Sequence, residues 1–170
     1  MLSEKIENAL VEQINAEFYS GYLYLSMAAF CEALNFEGFA NWMQVQAQEE
    51  LSHGMKIYRY VHERGGRVIL DTIEKPEAEW SNLIEVFDQV YKHEQKVTSL
   101  IYDLVSAARE EKDFATESFL SWFVDEQVEE EANASALLEK LQFVEGKGAA
   151  VMMLDAELKN RVFIDETTEA

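Results

Sequence analysis

Pro76 is the only proline in this 170-residue chain, and there are only seven glycines. These two residues are the strongest interrupters of regular structure, so a chain with so few of them has few turns and long elements. The apolar periodicity fits helices. Ser3 is a candidate N-cap, followed by Ile6, Leu10, Ile14, Phe18, Gly21, Leu25 and Ala28 at helical spacing. After a break at 35–38, a second pattern carries Phe39, Trp42, Gln46, Glu50, His53, Ile57 and Tyr60, stopping at Gly65 and Gly66. Residues 67–80 hold β-branched side chains and the proline, which predicts an extended crossover. A third helix is expected from Ser81 through Phe87, Val90, Glu94, Ile101, Leu104 and Ala108. A fourth, capped by Asp113, carries Phe119, Phe123, Gln127, Glu130, Leu137 and Leu141. Gly146 and Gly148 precede a short fifth helix over about 149–163 and a polar tail to 170. The expected fold is all-α: one domain over 1–170, with a four-helix bundle at about 3–145, one long crossover and a short C-terminal helix.

Composition narrows the function. Hydrophobic residues make up 48 %, enough for a substantial core. Asp and Glu number 33 against 14 Lys and Arg, a net charge of −19, which argues against nucleic acid and anionic membrane surfaces as partners. Such a balance suits a very soluble protein or one that handles cations. Cys31 is the single cysteine, so a cysteine-based metal site is excluded and core packing is its expected role. The first residues lack a signal-peptide pattern, and no stretch approaches the ~20 apolar residues of a membrane span, so a cytoplasmic location is expected.

The polar residues inside the apolar stripes carry the chemistry. Glu17 is followed 33 positions later by Glu50 and then His53; Glu94 is followed 33 positions later by Gln127 and then Glu130. An offset of 77 maps the first hairpin on the second, and it also maps Glu49 on Glu126 and Trp42 on Phe119. Glu50 and His53, three apart, share a helix face. No Lys or Arg lies on these stripes, and an unpaired carboxylate in a core costs several kcal/mol. The glutamates are therefore either solvated or neutralised by cations. Glu, Glu-x-x-His, Glu and a second i, i+3 pair is the ligand layout of carboxylate-bridged di-metal centres in four-helix bundles. Oxygen-rich ligands with one imidazole suit iron or manganese.

Five stretches carry a resemblance: INAEFYS at 14–20 with Tyr22 and Tyr24, GFANWM at 38–43, QEELSH at 48–53, YKHE at 91–94, and WFVDEQVEEE at 122–131. The chain resembles, over nearly its whole length, the non-haem ferritins of bacteria and archaea. The resemblance implies an iron-storage protein with a ferroxidase centre in each subunit, a homo-oligomeric shell of 24 subunits, Fe(II) and dioxygen or peroxide as substrates, and a ferric oxo-hydroxide product. It places the first iron on Glu17, Glu50 and His53. Glu50 bridges to a second iron completed by Glu94 and Glu130, with Gln127 close by. Glu49, Glu126, Glu129 and Glu130 match a third iron site. Tyr24, seven residues from Glu17 and so nearly two turns away, matches a tyrosine associated with electron donation.

Gln127-x-x-Glu130 replaces a second Glu-x-x-His, which speaks against a bacterioferritin-like centre, and Leu51 stands where a haem-ligating methionine would be, so haem is not expected. Asp113 and Glu117 fall where the family has entry pores, although capping and solvation account for them equally well. The methionines are expected to pack, and His62 and His93 have no partners at ligand spacing. Two other readings use the same residues: passive iron binding and nucleation without a fast centre, or a helical scaffold with a solvated polar seam.

Overall fold

The computed structural model describes residues 2–165 and 167, so the end of the expected tail lies outside the described residues. Five helices follow one another: α1 (Glu4–Ala33), α2 (Glu37–Glu63), α3 (Leu83–Glu110), α4 (Phe114–Phe143) and α5 (Ala149–Leu158). There is no strand among the described residues. Ser3 caps α1 by accepting from the Ile6 N–H, and Asp113 caps α4 by accepting from Thr116. The third helix begins two residues later than expected because Asn82 takes the cap, accepting from Glu85 N–H, while the Glu85 carboxylate accepts from Ser81 N–H at 2.5 Å.

Short connections make α1–α2 and α3–α4 hairpins, and α1 packs on α3 to close the bundle. Residues 67–80 form the crossover and run along α1, pinned where Asn15 Nδ2 donates to Thr72 O (3.2 Å) and Ser26 Oγ donates to Glu77 O (2.6 Å). Gly65 (φ 76°) ends α2 in the left-handed region, as its position suggested.

The bundle contains two apolar clusters. One holds Ile6, Leu10, Ile14, Ile57, Val61, Ile101 and Leu120; the other holds Met27, Phe39, Trp42, Met43, Phe87 and Leu141. Glu17, Glu50, His53, Glu94, Gln127 and Glu130 are buried on the helices that carry both clusters, at positions between these two sets, and Gln13 is buried beside them. Apolar packing at the two ends therefore fixes the helices that present a polar middle.

Three expectations need correction. Helix α5 ends at Leu158, not near 163; Asn41 Nδ2 caps its last turn by donating to Leu158 O (3.0 Å) and to Arg161 O (2.9 Å), and the chain continues irregularly from there. Leu25 is exposed, because the inward face of α1 passes through Tyr24 and Met27. Met27 and Met43 pack as expected, but Met55, Met152 and Met153 are exposed. Asp113 caps α4 as expected and also receives Arg64 Nη2 at 3.1 Å, while Glu117 receives Arg109 Nη2 at 2.6 Å.

One long-range contact was not legible in the sequence. The N-cap of α2, Phe36, has no side-chain bond, and the buried Asp155 of α5 supplies it from a distance: Oδ1 accepts from Gly38 N–H (2.8 Å) and Phe39 N–H (3.1 Å). A Cβ on Gly38 would lie 1.7 Å from Asp155 O, so only glycine permits this approach. Cys31 is buried in this region, with its thiol pushed up to about 12 by burial and then by the Asp155 charge, consistent with packing.

Candidate metal centre

Each helix of the bundle brings one or more ligand-type side chains to the polar middle. Glu17 comes from α1, Glu50 and His53 from α2, Glu94 from α3, and Gln127 and Glu130 from α4, and none is more than 4 % exposed. Ligand atoms of Glu17, Glu50 and His53 lie within 4.8 Å of one another, and so do those of His53, Glu126 and Glu130. His53 thus belongs to both groups. Its Nδ1 stands 3.7 Å from Glu50 Oε2 and its Nε2 3.9 Å from Glu126 Oε1. Trp122 and Phe123 hold the ring edge-on, at centroid distances of 5.4 and 6.2 Å.

Burial and neighbouring charge shift the titrating groups of the site. Burial raises the pKa of Glu17, and it raises those of Glu50 and Glu130 well above the carboxylate range. The neighbouring charge of Glu94 adds to the last two. Glu94 itself is pushed up to about 7, chiefly by burial, with bonds from Tyr24 and Gln127 opposing. His53 is lowered to about 4 by burial and then by Lys56, so its imidazole is neutral at neutral pH and its nitrogens can ligate. Glu17 Oε2 is buried without a hydrogen-bond partner, while Oε1 accepts from Gln13 Nε2 at 2.8 Å. An orphaned carboxylate oxygen facing other carboxylates and a neutral imidazole fits a di- or trivalent cation of borderline hardness.

Surrounding side chains orient these groups. The Tyr24 hydroxyl donates to Glu94 Oε1, and its ring meets Trp42 edge-on at 6.3 Å. Burial and then the Glu94 charge raise the Tyr24 pKa well above 10, which keeps it a phenol. Gln127 Nε2 donates to Glu94 Oε2 (3.3 Å) and Thr98 Oγ1 (3.2 Å), so its amide acts on the Glu94 carboxylate. Gln46 Nε2 donates to Glu130 Oε2 at 2.9 Å and ties α2 to α4. Gln13 and Gln46 were missed as site residues. Each precedes a glutamate ligand candidate by four, a helical-neighbour signal that could have found them.

Glu49, Glu126 and Glu129, matched by resemblance to a third iron position, line a small cavity of about 70 Å³ together with His53, Glu130 and Asn133. Glu129 is exposed and the other two half-buried. The absence of cations on the inner stripes does not extend here: Arg161, from beyond α5, reaches Glu49 Oε2 at 2.6 Å. Helical periodicity says nothing of what a later segment lays over a face.

The remaining histidines have structural partners. His93 stands 2.8 Å from Ser20 Oγ and between the rings of Tyr19 and Tyr24, with its pKa lowered to about 4 by burial. His62 stacks on Tyr58. No helix among the described residues is long and apolar enough to cross a membrane.

Comparison with known proteins agrees with this fold. The ferritin-like domain matches residues 7–144. A probable bacterial non-heme ferritin-like protein of Haemophilus influenzae is 42 % identical over 160 residues, covering 94 % of this chain and 97 % of that one. A bacterial non-heme ferritin of Staphylococcus epidermidis is 41 % identical over 166 residues, covering 98 % of this chain and 100 % of that one. Among solved structures, an engineered closed form of the Archaeoglobus fulgidus ferritin superposes with a TM-score of 0.95 at 52 % identity, over 96 % of this chain and 100 % of that one. The open-pore ferritin of the same archaeon gives 0.94 at 51 %, over 95 % and 100 %. The chain belongs to the ferritin family of iron-storage proteins, as a non-haem member of the bacterial and archaeal type.

Proposed function

We propose that this protein is a ferroxidase subunit, which binds Fe(II) in pairs within one bundle, oxidises it with dioxygen or peroxide and delivers ferric oxo-hydroxide to the interior of a homo-oligomeric shell of 24 subunits. The observation that carries this reading is the set of four buried glutamates and one neutral histidine, contributed by all four bundle helices. Glu17, Glu50 and His53 take one Fe(II); Glu50, Glu94 and Glu130 take the other. Glu50 is suited to bridge because Glu17, Glu94 and Glu130 all act on it electrostatically. Entry of the cations expels the protons that burial holds on the carboxylates, and the resulting charge favours Fe(III) over Fe(II). Each Fe(II) gives one electron to the oxidant. Tyr24, bonded to Glu94, is placed to supply a further electron.

Weaker retention at the Glu94 side suits iron that passes through, since Gln127 offers a hydrogen bond where a histidine would offer a ligand. The shell is supported by the archaeal relatives, described in open-pore and closed forms. It is also supported by an apolar groove of Phe18, Gly21, Tyr22, Leu25, Leu51 and Ile73 on the subunit surface.

Initial rates of aerobic Fe(II) oxidation test the reading. Glu50→Ala and His53→Ala are each expected to lower the rate at least about a hundredfold while the assembled particle elutes unchanged. Rates equal to the parent's would remove these residues from the centre and favour passive nucleation by surface acids.

A further inference from the structure

The segment that follows α5 lies over the small acidic cavity, and it does so with several built contacts. Arg161 Nη2 donates to Glu49 Oε2 at 2.6 Å, Nη1 donates to Trp42 O at 3.3 Å, and the guanidinium lies 4.8 Å over the Trp42 ring. Its own backbone carbonyl is held by Asn41. Ile164 and Thr167 complete the cavity wall, and Thr167 is tied to α2 by Lys56 Nζ (3.3 Å, to the carbonyl) and Arg59 Nη2 (3.2 Å, to the hydroxyl). Six contacts therefore hold this stretch of chain against α2.

The guanidinium stands on the wall of the acidic cavity. It is a permanent cation, it is three-quarters buried (24 % exposed), and it engages a carboxylate of the cavity that also holds Glu126, Glu129, Glu130 and His53. A metal ion drawing on Glu49 Oε2 must displace the guanidinium, and one drawing on Oε1 shares a carboxylate whose charge that guanidinium already offsets and is repelled by it. Among the described residues no Lys or Arg bonds the carboxylate oxygens of Glu17 or Glu50. Resting on the ferroxidase reading above, we infer that Arg161 is a tethered cation that sets the metal affinity of the Glu49–Glu126–Glu129–Glu130 cavity below that of the paired site, and that loading this cavity frees the segment 159–165. Iron then leaves the paired site for a neighbouring position that binds it only weakly, while the chain end responds to its presence.

Anaerobic calorimetric titration with Zn(II), a redox-inert probe, separates the sites. The parent is expected to take two equivalents tightly and a third more weakly. In Arg161→Gln the third equivalent is expected to tighten about tenfold or more, with the first two unchanged within about twofold. Arg161→Lys, which keeps the charge but loses the fork, is expected in between. A third equivalent that is unchanged or weaker in Arg161→Gln overturns the inference, because Arg161 then merely positions Glu49. No third equivalent in any of the proteins also overturns it. Hydrogen exchange on the unmodified protein decides independently of how the variants fold: exchange in 159–165 rises only at the third equivalent if the inference holds, and stays flat if it does not. Failure of the ferroxidase reading looks different, since the first two equivalents would then be missing from the parent.

Discussion

Glu17 on α1 and Glu50 on α2 set carboxylate oxygens within 4.8 Å of each other, and both side chains are buried. Two ionised carboxylates that close repel each other in a buried site, and burial raises the pKa of both, with the Glu17 charge adding to the rise at Glu50. The metal-free protein therefore stores protons where it is proposed to hold iron. Anaerobic addition of Fe(II) or Zn(II) at pH 7 is expected to release about one to two protons per pair of ions from the protein. Calorimetry in buffers of different ionisation enthalpy measures this number. Glu50→Gln is expected to release fewer.

The same shifts make the stability of the metal-free protein depend on pH. Glu94 has a folded pKa of about 7 against an ordinary 4.5, so its stabilising contribution is fully present below about 4.5 and is lost as the pH rises through 7. His53 and His93, lowered to about 4 from 6.5, act in the opposite sense: their contribution is present above 6.5 and is lost as the pH falls through 4. Because the two effects overlap, the informative quantity is the difference between parent and Glu94→Gln. The variant is expected to gain roughly 5 °C or more in Tm on the parent at pH 8, and less at pH 5. Thermal unfolding followed by circular dichroism checks this.

Tyr24→Phe keeps a buried ring of the same shape and removes only the hydroxyl that donates to Glu94. Metal stoichiometry is expected to persist, while initial Fe(II) oxidation slows several-fold, by about 3- to 10-fold. Loss of a metal equivalent in the same variant would assign Tyr24 a binding role and no electron-donating one.

Asp155→Ala removes the distant cap of α2 and leaves the N–H groups of Gly38 and Phe39 buried without that acceptor. The expected cost is about 1–3 kcal/mol, read as a lower denaturation midpoint with oxidation by the folded fraction unchanged. Gly38→Ala is expected to be more damaging, because the new Cβ meets the backbone of Asp155.

The helices, the crossover and most of the inner face were legible because each rests on local periodicity or on breakers such as Gly65 and Gly146. Glu17, Glu50, His53, Glu94 and Glu130 stood out as ionisable residues at apolar positions, and the structure buries all five. What escaped depends on contacts far apart in the chain. Asp155 caps a helix 117 residues away, and Arg161 meets a carboxylate 112 residues away. Leu25 fitted the spacing of its helix, but the inward face of α1 runs through Tyr24 and Met27, and no pattern within α1 alone fixes that rotation. The end of α5 was overestimated because Val162 and Phe163 continue an apolar pattern that Asn41 diverts by bonding the carbonyls of Leu158 and Arg161.

The central claim is that oxidation occurs at a paired site inside each bundle. Stopped-flow absorbance after anaerobic loading with increasing Fe(II), followed by mixing with oxygenated buffer, tests it most directly. The account predicts a fast bridged-ferric absorbance whose amplitude rises to a break at two Fe(II) per chain and disappears in His53→Ala. A slow absorbance that grows in proportion to total Fe(II), without a break and equally in His53→Ala, would contradict it.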